Sequence, residues 1–376
     1  MFDPRVGFSY QLTHDGKTVL RGGYGIFHDR WAQYISSTRN NYPINQNISI
    51  YNTSLSNPGQ GTRRIFPGNF TSENSPWRVP SLQKWSLDLQ RQLPGDLVLQ
   101  AGYVASKGSH LIRTIDQNQP VANVAIAGGS VSPNALRPYL GLAGITSYQT
   151  TANSVYHSLQ ASGVRRFTAG FSVQASYTWS KSIDDVASPF DIYSSYRTLR
   201  GLSSFDRRHM FVASYIWEIP FGRKLTGWQK KAVAGWQISG ISSFQIGNPF
   251  TVGISPDRAG TGGGGQRADV VGQLSTPKQL SQWFSTGTFA LPALGKFGND
   301  GRNVIVGPGI NGWDVSFSKR TAITESITLQ FRAEFFNLFN HPQWSGVGAT
   351  FGSATFGQIT SARDPRIGQL GLRLLF

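Results

Sequence analysis

Hydrophobic and polar residues alternate along the last stretch of the chain, Pro365 to Phe376. One parity holds only apolar side chains after Arg366, and these are Leu370, Leu372, Leu374 and Phe376. The other parity includes Gln369 and Arg373. A period of two predicts a β-strand with one apolar face. Such a row of leucines needs an apolar environment, which either a protein core or a lipid bilayer supplies.

The stretch Ser326 to Asn340 shows the same alternation over a greater length. Its apolar parity contains Ile327, Leu329, Phe331, Ala333, Phe335 and Phe339, and its polar parity contains Thr328, Gln330, Arg332, Glu334 and Asn340. We predict one strand of about fifteen residues, which exceeds the five or six usual in soluble domains. An apolar exterior and a charged interior are typical of a transmembrane barrel. Gln330, Arg332, Glu334 and Arg373 are therefore predicted to face the lumen.

Earlier parts of the chain repeat this pattern in hairpins. The further predicted strands are 5–13, 18–29, 79–93, 97–105, 154–167, 171–183, 209–220, 233–247 and 311–322, which makes about eleven in all. Short turns alternate with long segments at 30–78, 106–153, 184–208, 248–309 and 342–364. Outer-membrane barrels have short periplasmic turns and long external loops. The pattern predicts an all-β fold, a partial up-and-down antiparallel transmembrane β-barrel with these five segments outside the cell.

Three finer expectations follow from the same pattern. The segment 248–309 contains Gly262 to Gly265 and is expected to be a mobile loop. The connection 221–232 is expected to hold a helical turn. Aromatic side chains near strand ends are expected to form interfacial girdles, with core packing in a soluble sandwich as the alternative; they are Tyr103, Tyr177, Trp179, Tyr215, Trp217 and Trp313.

Composition narrows the class of protein. Of the 376 residues 12% are aromatic, 43 are glycine and only 14% are charged, which favours long strands joined by turns. No apolar run reaches 18 residues, so the sequence contains no helical membrane span. The net charge of +16 is scattered over turns and polar strand faces, so we expect no nucleic-acid partner. Met1 to Pro4 does not resemble a signal peptide, and we expect residues 1–376 to be the carboxy-terminal portion of one barrel domain, without its plug domain and signal peptide.

Candidate chemistry is sparse. Gly307 to Gly312 fits G-x-G-x-x-G, but a strand pattern follows where a dinucleotide site needs a helix. Ser316 and Lys319 fit S-x-x-K, yet they face opposite sides of a strand. The sequence contains six histidines without ligand spacing and no cysteine. External calcium binding by Asp184, Asp185 and Asp191 is weighed against ordinary turn polarity. We predict no catalytic, cofactor-binding or metal-binding residue and no enzyme.

Several segments in order resemble the carboxy-terminal half of TonB-dependent outer-membrane receptors, most closely the Oar-like subgroup. They are PRVGFSYQLTHDGKTVLRGGYGIFHDR, VPSLQKWSLDLQRQLPGDLVLQAGYVASKGSHL, SVYHSLQASGVRRFTAGFSVQASYTWSKSIDD, DRRHMFVASYIWEIPFG and FRAEFFNLFNHPQW. The resemblance implies part of a 22-stranded barrel, with an upstream plug and an upstream box that contacts TonB. It also implies that Leu370, Leu372, Leu374 and Phe376 form the closing-strand signal for the barrel-assembly machinery.

The resulting hypothesis is a fragment of an outer-membrane receptor for energy-coupled uptake of an unidentified solute, captured by long external loops. Its expected partners are outer-membrane lipid, the barrel-assembly machinery, the solute, and TonB through the missing amino-terminal part. One alternative is a passive pore, adhesin or surface scaffold without energy coupling. Another is a soluble basic all-β module that binds polyanions and loses affinity as salt rises.

Overall fold

Eleven long strands form one antiparallel meander. The computed structural model describes residues 2–29, 41, 49–64, 67–73, 76–187, 191–193, 195–222, 224–263 and 265–376. The predicted loop 30–78 lies partly outside these residues. The meander strands are β1 Arg5–Gln11, β2 Thr18–His28, β3 Ser81–Leu93, β4 Leu97–Asp116, β5 Leu142–Thr168, β6 Phe171–Asp184, β7 His209–Glu218, β8 Trp236–Gln245, β9 Ile310–Ala322, β10 Thr328–Phe336 and β11 Ile367–Leu375.

Each meander strand from β2 to β10 pairs with the meander strand before it and the meander strand after it in the chain. Two short strands join the sheet at its loop end, with Gly68–Glu73 parallel to β5 and Gly201–Leu202 antiparallel to β6. Within the described residues, β1 and β11 each have one neighbour and do not pair with each other. The sheet is thus an open, partial barrel. The predicted all-β up-and-down fold and the predicted strand number are confirmed.

The strand register brings the apolar parities of neighbouring strands onto one face. Residues directly opposite each other in a ladder project to the same side of the sheet. Phe211 is opposite both Phe244 and Tyr177, and Phe331 is opposite Leu372. Leu372 is 70% exposed, which shows that this face is not buried in a protein core. A continuous exposed apolar face is expected where a sheet borders lipid.

The turns at the opposite end of the sheet from the long loops are short because their residues adopt left-handed conformations. Gly16 follows Asp15 with φ +70°, Gly95 and Asp96 have φ +78° and +58°, and Ala169 precedes Gly170 with φ +53°. Positive φ is accessible mainly to glycine and, at higher cost, to residues such as asparagine and aspartate. The connection between β7 and β8 is longer and contains the predicted helical turn as a short helix, Gly227–Val233.

Two boundary predictions are wrong. The predicted loop 106–153 is too long, because β4 continues to Asp116 and β5 already begins at Leu142, well beyond the part that a membrane would cover. The predicted strand 326–340 ends at Phe336, because Asn337 and Asn340 have positive φ values of 51° that interrupt the extended backbone. Helix α1, Val124–Ala127, lies between β4 and β5.

The hydrophobic core of the described residues lies in the loops rather than in the sheet. Its buried members are Val252, Ile254, Ala268, Trp283, Phe284, Phe289 and Ile305. We call residues 246–309 and 337–366 together the loop platform. Short strands in it are Pro249–Phe250, Gly253–Ile254, Gln266–Arg267, Asp269–Val270, Phe289–Ala290, Ile305–Val306, Trp344–Val347, Thr350–Phe351 and Ile359–Ala362. The prediction that 248–309 is a mobile loop is wrong, because its apolar residues form a core.

Other short elements complete the described part of the chain. Ser49–Tyr51 pairs with Thr62–Arg64, and single turns of 3-10 helix occur at Pro133–Ala135, Tyr196–Leu199 and Thr286–Thr288. None of the helices described is both long and apolar enough to cross a membrane.

Candidate functional site: the polar sheet face and the loop platform

The four predicted lumen-facing residues share one face of β10 and β11. Gln330 is opposite Arg373, and Glu334 is opposite Gln369, whose amide donates a hydrogen bond to the Glu334 carboxylate. With its amide oriented for bonding, Gln330 accepts from the guanidinium of Arg332 at 3.2 Å. The polar row therefore contains one hydrogen bond within β10 and one between β10 and β11.

A concavity of about 600 Å³ lies on this polar face. Strands β5 to β10 all line it, and the side chains of polar-face parity include Gln174, Ser214, Ser239, Asp314, Ser316 and Glu334. Some residues whose side chains belong to the apolar face also line the concavity, because they alternate with polar-face residues along a strand. Tyr215, between Ser214 and Ile216, is an example. Apolar side chains such as Ile216 and Ile241 lie between these polar groups. The concavity is therefore of mixed character, with hydroxyl, amide and carboxylate groups available for contact with water or with another polar surface.

Aromatic packing gives the loop platform a fixed shape. Phe284 has no exposed surface, and its ring lies 5.3 Å from Phe356, 5.7 Å from Phe289 and 6.0 Å from Phe250, measured between centroids. Edge-to-face ring pairs at such distances stabilise beyond their buried area. The indole of Trp283 donates to the Val306 carbonyl oxygen at 2.8 Å. The two long loops thus pack together above the sheet.

The glycine-rich part of the platform is held by one carboxylate. Asp257 accepts hydrogen bonds from the backbone N–H groups of Gly260, Thr261 and Gly262 at 2.8, 3.2 and 2.6 Å. Gln266 donates to it from its side-chain amide. Positive φ values at Gly260 and Gly262 allow the backbone to wrap around the carboxylate. The glycines therefore allow a tight anion-centred turn here, where the sequence had suggested mobility.

Buried arginines connect the loops to the loop end of the sheet. Arg302 of the platform donates to the Asp184 carboxylate at 2.5 Å and to the Asp184 carbonyl at 2.9 Å. Arg113 of β4 has no exposed side-chain surface and pairs with Asp185 at 3.1 Å. Removing one partner of a buried pair leaves an uncompensated charge and costs about 3–5 kcal/mol. The Arg302 contact fixes the platform relative to β6, and the Arg113 contact joins β4 to the residue that follows β6.

Asp300 is a buried carboxyl group within the platform, with only 3% of its surface exposed. Burial raises its pKa to about 6 from an ordinary 3.8, because the charged form loses solvation. The backbone N–H groups of Gly301 and Val252 and the guanidinium of Arg267 act in the opposite direction. Arg267 also donates to the Asp300 carbonyl at 3.0 Å. The platform therefore contains a group that titrates between acidic and neutral pH.

A family comparison identifies this architecture. The model of the outer membrane beta barrel domain family matches residues 1–369. The chain belongs to that family. The protein is therefore an outer-membrane barrel, and the predicted location is confirmed. The interpretation as a soluble polyanion-binding module is wrong, because members of this family reside in the membrane.

Solved structures share this barrel fold. The outer membrane transporter YddB from Escherichia coli aligns with a TM-score of 0.51 and 10% identity, covering 98% of this chain and 39% of YddB. A mutant of the ferric enterobactin receptor PfeA from Pseudomonas aeruginosa aligns with a TM-score of 0.48 and 12% identity, covering 99% of this chain and 40% of the receptor. No curated protein matches the sequence. This chain spans about two fifths of the length of these solved structures.

The predicted fold of a TonB-dependent receptor barrel is confirmed by the family and by the shared architecture. Membership of the Oar-like subgroup stays a prediction. On the outer-membrane barrel, the predicted aromatic girdle residues Tyr103, Tyr177, Trp179, Tyr215, Trp217 and Trp313 all have apolar-face parity. Trp179 is 51% exposed, so core packing in a sandwich does not describe this ring.

The remaining candidate residues of the barrel have structural surroundings. Ile310 begins β9, so the glycine motif at 307–312 leads into a strand. Ser316 is opposite Glu334 on the polar face, whereas Lys319 is opposite Phe331 on the apolar face. Asp184 and Asp185 are occupied by arginine side chains rather than arranged around a cation site. Among the residues that the structure describes, no three His, Asp or Glu side chains form a group that could hold a metal ion.

Sequence reasoning missed the platform core and the buried arginines. The sequence did contain a signal for the core, the three closely spaced aromatic residues Trp283, Phe284 and Phe289. A solvated loop has no need of three large aromatic side chains. Arg113, Arg267 and Arg302 had no such signal, since their partners are far away in the chain.

Proposed function

We propose that this chain is the carboxy-terminal part of the barrel of a TonB-dependent receptor, which takes up a scarce solute from outside the cell. In hydrocarbon, the unpaired backbone groups of β1 and β11 would each cost several kcal/mol. Further strands of the same protein would satisfy both edges and complete a barrel of 22 strands around a plug. The open meander supports this arrangement, and so does the fold shared with a solved transporter.

In this proposal the polar face lines the lumen. Gln330, Arg332, Glu334 and Arg373 contact the plug or the water around it. The opposite face meets lipid, and Leu370, Leu372, Leu374 and Phe376 present the closing strand to the barrel-assembly machinery. The loop platform captures the solute, and TonB moves the plug through contacts upstream of this chain. The observation that carries the proposal is the folded platform above the concavity on the polar sheet face. Uptake rather than catalysis is the function proposed.

The test is solute depletion by living cells. Cells that express the full-length gene, cells that lack it and complemented cells grow in a defined mixture of nutrients, and mass spectrometry follows what disappears from the medium. We expect at least one solute to be depleted only when the gene is present and the inner-membrane proton gradient is intact. Depletion that persists after a protonophore would indicate a passive pore and contradict energy coupling.

A platform variant sharpens the test. Trp283→Ala removes a buried side chain of the platform core, whereas Leu280→Ala changes an exposed residue of the same segment. Both variants should reach the outer membrane and show the compact, heat-sensitive band of a folded barrel in gels. Uptake should fall with Trp283→Ala and persist with Leu280→Ala. Equal uptake by both would show that the platform does not capture the solute.

A further inference from the structure

Three basic side chains of neighbouring strands meet on the apolar face of the barrel. Lys181 is directly opposite His157, and His157 is directly opposite Ala105, two residues from Lys107. Side chains that are opposite or diagonal in a ladder lie within about 8 Å of one another. Lys107, His157 and Lys181 therefore form one basic cluster, and all three are exposed.

The height of the basic cluster is set by strand length. Lys107 and Lys181 are each ten residues beyond the first residue of β4 and β6, and His157 is eleven residues from the last residue of β5. These three counts all start from the end of the strand that adjoins a short turn. A transmembrane strand crosses the hydrocarbon in about 9–11 residues. The cluster thus lies where the sheet leaves the hydrocarbon on the side of the long loops, which is the outer leaflet.

The two lysines of the basic cluster have no protein anion. In the part of the chain that the structure describes, neither ammonium group forms an ion pair or a hydrogen bond. Lys319, on the same face near the short turns, differs because its ammonium lies 5.2 Å from the Trp236 ring and bonds the Ala232 carbonyl. Lys107 and Lys181 are on the same face of the sheet, separated by one strand, and their like charges repel each other. An external anion would remove that repulsion.

The His157 ring is held by its neighbour Tyr103. The Tyr103 hydroxyl lies 2.6 Å from its Nδ1, and the two rings stack with centroids 6.0 Å apart. When the hydroxyl donates to Nδ1, Nε2 carries the proton. Nε2 of this exposed ring is then available to donate to a bound anion. The basic cluster thus offers three donor groups, two ammonium groups and one ring N–H, which match the oxygens of a phosphate monoester.

An apolar groove of about 480 Å³ lies on the same face of the sheet, between the basic cluster and the short turns. Ala101, Ala161 and Gly163 form its floor, and Leu89, Tyr177 and Phe211 form its walls. Arg91 lines its end nearest the short turns. Ala161 is four residues from His157 along β5, which corresponds to about 13 Å of strand. The floor residues are small, so the groove is a recess in an otherwise bulky lipid-facing surface. Its dimensions and lining suit an acyl chain.

We propose that this face holds one phosphorylated acyl lipid of the outer leaflet. The phosphate lies over Lys107, His157 and Lys181, and one acyl chain fills the groove below. The charge of the basic cluster, its height and the apolar recess about 13 Å below it on the same face all select the same kind of ligand. The proposal does not depend on solute uptake, since it concerns the outer surface of the barrel.

Native mass spectrometry of the full-length protein, purified from outer membranes in mild detergent, tests the proposal. We expect about one phosphorylated lipid per folded wild-type molecule, a stoichiometry that follows from the single cluster and groove. Lys107→Gln with Lys181→Gln should reduce retained lipid at least tenfold, and Ala161→Phe should do so by filling the groove. Lys107→Arg with Lys181→Arg should retain the lipid, because both charges remain. Lys319→Gln is the matched control and should also retain it, because it removes a charge from the same face at the other leaflet.

Rebinding to delipidated protein identifies the group that is recognised. Phosphorylated glycolipid should rebind, and the same glycolipid after enzymatic dephosphorylation should bind at least tenfold more weakly. Inorganic phosphate alone should not displace the lipid, since it cannot occupy the groove. Only molecules with the heat-sensitive folded band are compared, so a folding defect cannot imitate lost affinity. Equal lipid retention by the wild type and the double glutamine variant, or by the wild type and Ala161→Phe, would overturn the proposal.

Discussion

Truncation of Phe284 tests whether the loop platform is a folded unit. The ring has no exposed surface and makes three tilted or edge-to-face contacts at 5.3 to 6.0 Å. Replacing a buried phenylalanine with alanine costs about 3–5 kcal/mol through lost burial and the cavity that remains. Because each 1.4 kcal/mol is a factor of ten, opening of the platform should become about 100- to 4,000-fold more frequent.

Hydrogen exchange of amides that close the platform measures that opening. The N–H of Trp283 donates to the Gly357 carbonyl at 2.6 Å, and the N–H of Ile359 donates to the Leu280 carbonyl at 2.9 Å. Both bonds join the two long loops, so their exchange requires the platform to open. Amides of β9 and β10 serve as an internal standard and should keep their protection.

Leu280→Ala is the matched control for Phe284→Ala. Leu280 lies in the same segment but is 58% exposed, so its truncation should change stability by less than about 0.5 kcal/mol. If Phe284→Ala and Leu280→Ala left the Trp283 and Ile359 amides equally protected, the aromatic cluster would not be what stabilises the platform.

Three further predictions concern a titration, the two sheet faces and a close backbone contact. Because burial raises the pKa of Asp300 to about 6 from 3.8, the folded platform binds this proton more tightly than the opened one. The contribution of Asp300 to the stability of the platform should therefore be greatest below pH 4 and fall by up to about 3 kcal/mol as pH rises to 7. Hydrogen exchange corrected for intrinsic rates should show this trend. Asp300→Asn should abolish the trend. Leu372→Lys on the apolar face should lower barrel stability in urea by about 2–4 kcal/mol, whereas Arg373→Gln on the polar face should change it by less than about 1 kcal/mol; the reverse order would contradict the assignment of faces. Gly247→Ala should reduce the yield of protein with a protease-resistant platform, because a Cβ there would lie 1.9 Å from the Gly307 carbonyl oxygen, while Gly371→Ala, with no atom within 4 Å, should match the wild type.

The sequence was most informative where side chains alternate. Gln330, Arg332 and Glu334 were placed on one face and Phe331 on the other before any tertiary information, because a strand has a period of two whatever its partners are. The register of β10 with β11 then placed Arg373 beside Gln330. The exposed leucines of β11 agree with the expectation that this face meets lipid.

The sequence was least informative in the long loops. The extension of β4 to Asp116 and the early start of β5 at Leu142 arise from pairing beyond the membrane, where no hydrophobic alternation is required. The platform depends on contacts such as that between Phe284 and Phe356, which are more than seventy residues apart in the chain. Asp184 and Arg302 are also distant in sequence, so no local spacing indicated that they pair.

The sequence by itself determined the strand order, the short turns and the division into an apolar and a polar face. Those features follow from local backbone geometry and from the side-chain period of a strand. Only the tertiary structure decided that the loops between β8 and β9 and between β10 and β11 share a core. The pairing of buried arginines with Asp184 and Asp185, and the position of Lys107, His157 and Lys181 on one face above an apolar groove, were also decided by the tertiary structure. Those features depend on which distant residues come together, and burial and charge pairing act on residues once they are neighbours in space, however far apart they are in the chain.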